Sequence, residues 1–98
     1  MKLTPEYRNK IRGYLKDKPV FKAYLFGSYA RDDAQEESDV DILLELDYTE
    51  HIGLEYVQMK IDLEKILNKS VDLVTEKALS KYIKPIVDKE KVLIYEKG

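Results

Sequence analysis

Apolar residues recur along this chain at two different spacings, and the changes between them mark out its elements. Tyr7, Ile11, Tyr14 and Leu15 fall at i, i+4, i+7 and i+8, one face of a helix. Thr4-Pro5 just ahead has the form of an N-cap followed by a first helical residue. Gly13 weakens this helix, and Asp17-Lys18-Pro19 ends it. Val20 to Phe26 is short and β-rich, so it predicts a strand that turns out at Gly27-Ser28. Ser28 is then expected to cap a short helix over Tyr29 to Ala34, with its N-terminus aimed at an anion. The second strand is Asp39 to Leu46. Val40, Ile42, Leu44 and Leu46 share one face, and Asp39, Asp41, Leu43 and Glu45 share the other.

A polar loop at Asp47 to Glu50 leads to a helix over Gly53 to Asn68. Leu54, Val57 and Ile61 form one apolar row on it; Tyr56, Met59, Leu63 and Ile66 form another. That face is wider than the usual stripe, which fits either a partner at one edge or full burial against a sheet. Val71 to Thr75 reads as a third strand, carrying Asp72. Leu79, Tyr82, Ile83, Ile86 and Val87 have helical spacing and predict a third long helix, with Pro85 bending it unless the helix starts late. Lys91 to Glu96 is the last strand. The order α-β-α-β-α-β-α-β implies an α/β domain, with helices packed on a mixed four-stranded sheet. With neither linker nor repeat, residues 1–98 read as a single domain.

Candidate chemistry gathers at two turns. A Gly-Ser pair leaving a strand offers backbone N–H groups and a small hydroxyl, which suit a phosphate. Asp39 and Asp41, two apart on a strand, aim both carboxylates at one face, with Cα atoms roughly 6.5 Å apart. At that spacing they repel by about 2–3 kcal/mol at an effective dielectric of about 20. A cation between them turns that cost into a binding site, and oxygen-only ligands favour Mg²⁺. If the strands at 39–46 and 71–75 lie side by side through a helical crossover, Asp72 joins the pair. Three carboxylates beside a phosphate-binding turn suit two-metal phosphoryl or nucleotidyl transfer, with Asp72 placed to act as base.

Composition narrows the partners. The net charge of −2 provides no global basic field, so nucleic acid is not an expected partner. The absence of Cys rules out a disulfide frame and any thiolate ligand or nucleophile. No apolar run reaches the roughly 20 residues of a membrane span and no signal peptide opens the chain, so a soluble cytoplasmic protein is expected. Eight Tyr against two Phe and no Trp suit half-buried positions with a wet edge, including protein interfaces.

The pattern Gly27-Ser28-x10-Asp39-x-Asp41, followed by Asp72 on a later strand, resembles the nucleotidyltransferase signature of the DNA polymerase beta superfamily. More narrowly, four stretches look like the minimal nucleotidyltransferases, the antitoxins paired with HEPN-domain toxins. They are Gly27-Ser28-Tyr29-Ala30-Arg31, Ser38-Asp39-Val40-Asp41-Ile42-Leu43, and Val71-Asp72-Leu73-Val74 with the closing Val92-Leu93-Ile94-Tyr95-Glu96. The resemblance runs from about Val20 to the end. It implies the nucleotidyltransferase-type mixed four-stranded sheet, and Mg²⁺, two ions in the two-metal scheme, held by Asp39, Asp41 and Asp72. It further implies ATP phosphates at Gly27 and Ser28, with Arg31 as a further candidate contact, and transfer of AMP to a tyrosine of a cognate HEPN toxin. One departure is Asp32, which stands where that family usually has glycine.

Taken singly, each feature has an ordinary explanation. Asp-x-Asp can be a solvated strand end, Gly-Ser a plain turn, and Arg31 a partner of Asp32 or Asp33. Two other functions stay open beside toxin adenylylation. One is an antitoxin that masks its toxin while its own site is weak or silent, which Asp32 motivates. The other is nucleotidyl transfer to a small molecule or an RNA end.

Overall fold

A computed structural model describes residues 2–97. Helix α1 spans Pro5–Leu15. Thr4 caps it as expected, its hydroxyl oxygen accepting from the Tyr7 N–H at 3.3 Å. Pro5 sits in the first turn, where its missing N–H leaves no helical bond unmade. Strand β1 (Val20–Phe26) runs into a one-turn helix α2 (Ser28–Arg31), then β2 (Val40–Leu46). Helix α3 (Glu55–Leu67) leads to β3 (Val71–Thr75), and α4 (Lys84–Glu90) to β4 (Val92–Glu96).

The four strands lie in the order β3-β2-β1-β4. β1 pairs antiparallel with both β2 and β4, whereas β2 and β3 are parallel. Parallel neighbours need a crossover, and α3 supplies it. The mixed four-stranded sheet with packed helices is therefore the architecture that the alternation of elements predicts.

The period of two sorts the strands into two faces. On one face Ala23, Leu25, Val40, Ile42, Leu44, Val71, Leu73 and Ile94 are buried, in one cluster with Ile11 and Leu15 of α1 and Met59, Leu63 and Leu67 of α3. The other face carries Lys22, Tyr24, Asp41, Leu43, Glu45 and Asp72, by the register of the paired strands.

Several local expectations need correction, and one open alternative is settled. Ser28 does not cap α2; it is the first helical residue, Gly27 holds the N-cap, and the helix ends at Arg31 rather than Ala34. Helix α3 begins at Glu55, with Leu54 as its N-cap, and ends as predicted at Asn68, a left-handed C-cap. Its row Leu54, Val57 and Ile61 is exposed, which excludes full burial of the broad face. The long helix over 79–87 does not form. A 3₁₀ turn at Glu76–Ala78 follows β3, and α4 starts only at Lys84, with Pro85 in its first turn. Pro85 has no N–H to donate, and its ring would collide with the carbonyl four residues back. A helix can therefore begin beside it but not run through it. Of the apolar residues predicted to share a buried helical face there, Val87 alone is buried, while Tyr82, Ile83 and Ile86 are exposed.

Candidate active site

The bend at the end of β1 is built around a conformation that only glycine adopts readily. Gly27 has φ 69° and ψ −150°, a region nearly closed to residues with a Cβ. A Cβ there would also lie 2.0 Å from Asp41 Oδ2. The absence of a side chain at Gly27 is what lets the Asp41 carboxylate come down onto the bend. After Gly27 the chain turns at once into α2, where the N–H groups of Ala30 and Arg31 donate to the Gly27 carbonyl at 3.1 and 3.0 Å.

Asp32 closes that helix in the left-handed region, at φ 65°. A glycine suits this position because of its backbone angle. Aspartate is among the few other residues that tolerate it. The substitution thus leaves the loop on the path a glycine would take.

The carboxylates come from neighbouring strands. Asp41 lies directly opposite Asp72 in the parallel β2–β3 register. Asp39 stands one residue ahead of β2, exposed. Asp41 is half-buried, and its carboxyl is pushed up to about 6, first by burial and then by the charges of Asp72 and Asp39. Arg31 pulls in the opposite direction. Tyr56 of α3 donates its hydroxyl to the Leu73 carbonyl, and burial followed by the Asp72 charge raises its pKa. It braces β3 beside Asp72, a packing role.

Arg31 does pair with Asp33, at 3.1 Å, as one of its two expected alternatives has it. It also pairs with Glu90, the last residue of α4, at 3.0 Å. The other Glu90 oxygen accepts from the Gly27 N–H at 2.9 Å. Glu90 is the residue that reading the chain missed. It lies 63 positions from Gly27, at the end of a helix whose true start the periodicity hid. No local pattern distinguishes it from the other surface glutamates.

The donor set suits a hard cation in kind: every candidate ligand is a carboxylate oxygen, and the crowding at Asp41 is what a divalent ion relieves. Among the described residues, however, Asp39, Asp41 and Asp72 do not stand as a ready three-ligand cluster. A polar cavity of about 460 Å³ opens beside the starts of β2 and β3, lined by Glu36, Glu37, Ser38, Asn68, Lys69 and Ser70. None of the three aspartates lines it, so it is a neighbour of the carboxylate group and not its container.

A glycine bend seated under one carboxylate, with a second carboxylate on the adjoining parallel strand, defines a phosphoryl- or nucleotidyl-transfer class of site. Comparison with known proteins points the same way. The family model described as a nucleotidyltransferase domain matches residues 8–94. A Methanocaldococcus jannaschii protein, provisionally named a protein adenylyltransferase, is 41% identical over 101 residues, spanning 97% of this chain and 99% of its own. A solved structure provisionally described as a minimal nucleotidyltransferase has a TM-score of 0.77 at 28% identity, over 89% of this chain and 88% of that one. A chain in the complex of a tri-AMPylated Shewanella oneidensis HEPN toxin with its MNT antitoxin has a TM-score of 0.70 at 25% identity, over 93% of this chain and 71% of that one. The chain belongs to the nucleotidyltransferase domain family.

Proposed function

We propose that this chain is an antitoxin enzyme that transfers AMP from ATP to a tyrosine hydroxyl of a HEPN-type toxin. The observation that carries this reading is the Asp41–Asp72 register beside the Gly27 bend. The relatives named as adenylyltransferases, and the AMPylated toxin in the Shewanella complex, support the acceptor. Residues 1–98 act as one domain in this reading, in the cytoplasm.

Each residue has a role. The Gly27 bend, Ser28 and Arg31 receive the outer phosphates through N–H, hydroxyl and guanidinium donors. Asp39, Asp41 and Asp72 would hold Mg²⁺, in one or two ions, which when bound neutralises the triphosphate and lowers the pKa of the attacking hydroxyl. The tyrosine oxygen attacks the α-phosphorus in line. The bond from that phosphorus to the bridging oxygen breaks, and pyrophosphate leaves with the electron pair. Asp72, the more exposed of the two paired carboxylates, takes the tyrosine proton. Keeping the Asp41 and Asp72 charges side by side costs stability without a cation, which is the mark of a site held ready for one.

Two features bear on the acceptor. The AMPylated toxin of the Shewanella complex supports an acceptor tyrosine on another protein. The exposed Leu54, Val57 and Ile61 row of α3 offers apolar surface of the kind such a partner covers. The test is to incubate the chain with its toxin, ATP and Mg²⁺ and to read the toxin's intact mass. Added AMP is expected, and an unmodified but active toxin would count against the reading. Toxin neutralisation by the Asp39→Asn/Asp41→Asn double variant would show that masking suffices.

A further inference from the structure

Glu90 is a fourth carboxylate where three already crowd, and metal binding alone does not explain its place. Its side chain is only 18% exposed. One oxygen accepts from the Gly27 N–H at 2.9 Å and the other from Arg31 Nη1 at 3.0 Å. Glu90 is therefore turned toward the bend, fully engaged with donors. A backbone amide at a tight turn plus a guanidinium is the pair of donors that phosphate oxygens take. A carboxylate presents to such donors the same negative oxygens, with less charge and one fewer contact.

We propose that Glu90 is an internal stand-in for phosphate: it occupies the Gly27 and Arg31 donors in the nucleotide-free chain and is displaced when a triphosphate arrives. The proposal rests on the nucleotide reading above and adds to it a competition built into the fold. Neither donor is left open without nucleotide, so the bend keeps its shape at Gly27 and Arg31 keeps its aim. The cost is apparent affinity, because nucleotide must exchange with an occupant already in place. The occupant is also well placed to leave. Helix α4 has seven residues and a single buried one, Val87, so its last turn can shift without opening the main core.

The experiment is calorimetric titration of ATP with Mg²⁺ into the intact wild-type chain, Glu90→Gln and Glu90→Ala. If the internal contact is populated about nine times in ten, removing it tightens apparent ATP binding about tenfold. Glu90→Gln keeps an acceptor for the Gly27 N–H but loses the charge on Arg31, so it should fall between the other two. Inorganic tripolyphosphate, which has no base or sugar, should give the same order, because the exchanged donors meet only phosphate. Unchanged or weaker binding by Glu90→Ala, with wild type binding normally, overturns the proposal: Glu90 would then be a brace for the bend. If Glu90→Ala does not fold, Glu90→Gln decides, with tighter binding in favour and equal or weaker binding against. Absence of ATP uptake by all three chains would instead remove the nucleotide reading, and this proposal with it.

Discussion

On one face of the sheet, Val40, Ile42, Leu44 and Leu46 of β2 are buried against the side chains of α1 and α3. On the opposite face of the same strand, Asp41 and Glu45, both half-buried, flank the buried Leu43. Leu43 is as buried as the first face, so the two faces differ at Asp41 and Glu45, whose carboxylates stay half-exposed. The first face is dry and closely packed. The second holds like charges near one another, a bend that only glycine adopts readily, and a short helix that buries one side chain. The difference shows where stability and chemistry are separated. A site that is electrostatically uncomfortable persists because the face behind it supplies the burial, and the period of two keeps the two jobs from mixing.

Several substitutions probe that division. The largest effect is expected on the charged face. Asp41→Asn should lower adenylyl transfer to the toxin by roughly 10²-fold or more, the scale on which well-placed electrostatic groups act. The same variant should fold at least as well as wild type, so a large loss of helical signal in circular dichroism would sink the division of labour. On the dry face, Leu44→Ala should cost about 2–5 kcal/mol in urea unfolding, because Leu44 is completely buried. Transfer measured well below the midpoint should change little.

Gly27→Ala touches both faces at once. The backbone strain alone costs about 1–3 kcal/mol, and the new methyl would push against Asp41, so stability and transfer should fall together. Rescue of either by Gly27→Ser would argue that the bend tolerates a Cβ after all.

The pH dependence is subtler. Asp41 titrates at about 6 in the fold against an ordinary 3.8. Between those values the folded chain holds more protons than the unfolded one, so stability falls as pH rises from about 4 to about 6. After allowance for partial exposure, the slope amounts to about 1 kcal/mol in total. Asp41→Asn should flatten this part of the profile, and a profile identical to wild type would place the strain elsewhere. The smallest effect is expected at Asp32, whose left-handed backbone already suits it. Asp32→Gly should move stability by no more than about 1 kcal/mol, in the stabilising direction, as seen by thermal melting. A larger gain would mean that the aspartate strains the loop.

Much of this was legible from residue patterns because it depends on neighbours in the chain. Thr4-Pro5 opens a helix through the chemistry of two adjacent residues. Gly27-Ser28 stops a strand because the backbone must turn there. The β2 alternation assigns Asp41 and Ile42 to opposite faces without reference to anything distant. Even the failure over 79–87 was half written in Pro85, although the apolar spacing masked it: helical periodicity reports which residues could share a face, not whether the backbone can bond through that stretch. The exposed row of α3 was ambiguous for a related reason. A broad apolar face says how much could be covered, and only the finished packing says how much is.

What the sequence by itself determined was most of the elements and their order, the bend at Gly27 and the presence of three aspartates near strand starts, since each follows from local sterics and period. Tertiary structure alone decided that Asp72 lies opposite Asp41, that the Asp41 carboxylate rests on Gly27, and that Glu90 reaches back across the chain to the bend and Arg31. These are matters of register and approach between segments far apart in sequence. They are settled by how the apolar face packs: the crossover pattern anticipated Asp72 beside the other two aspartates, whereas nothing local marks Glu90.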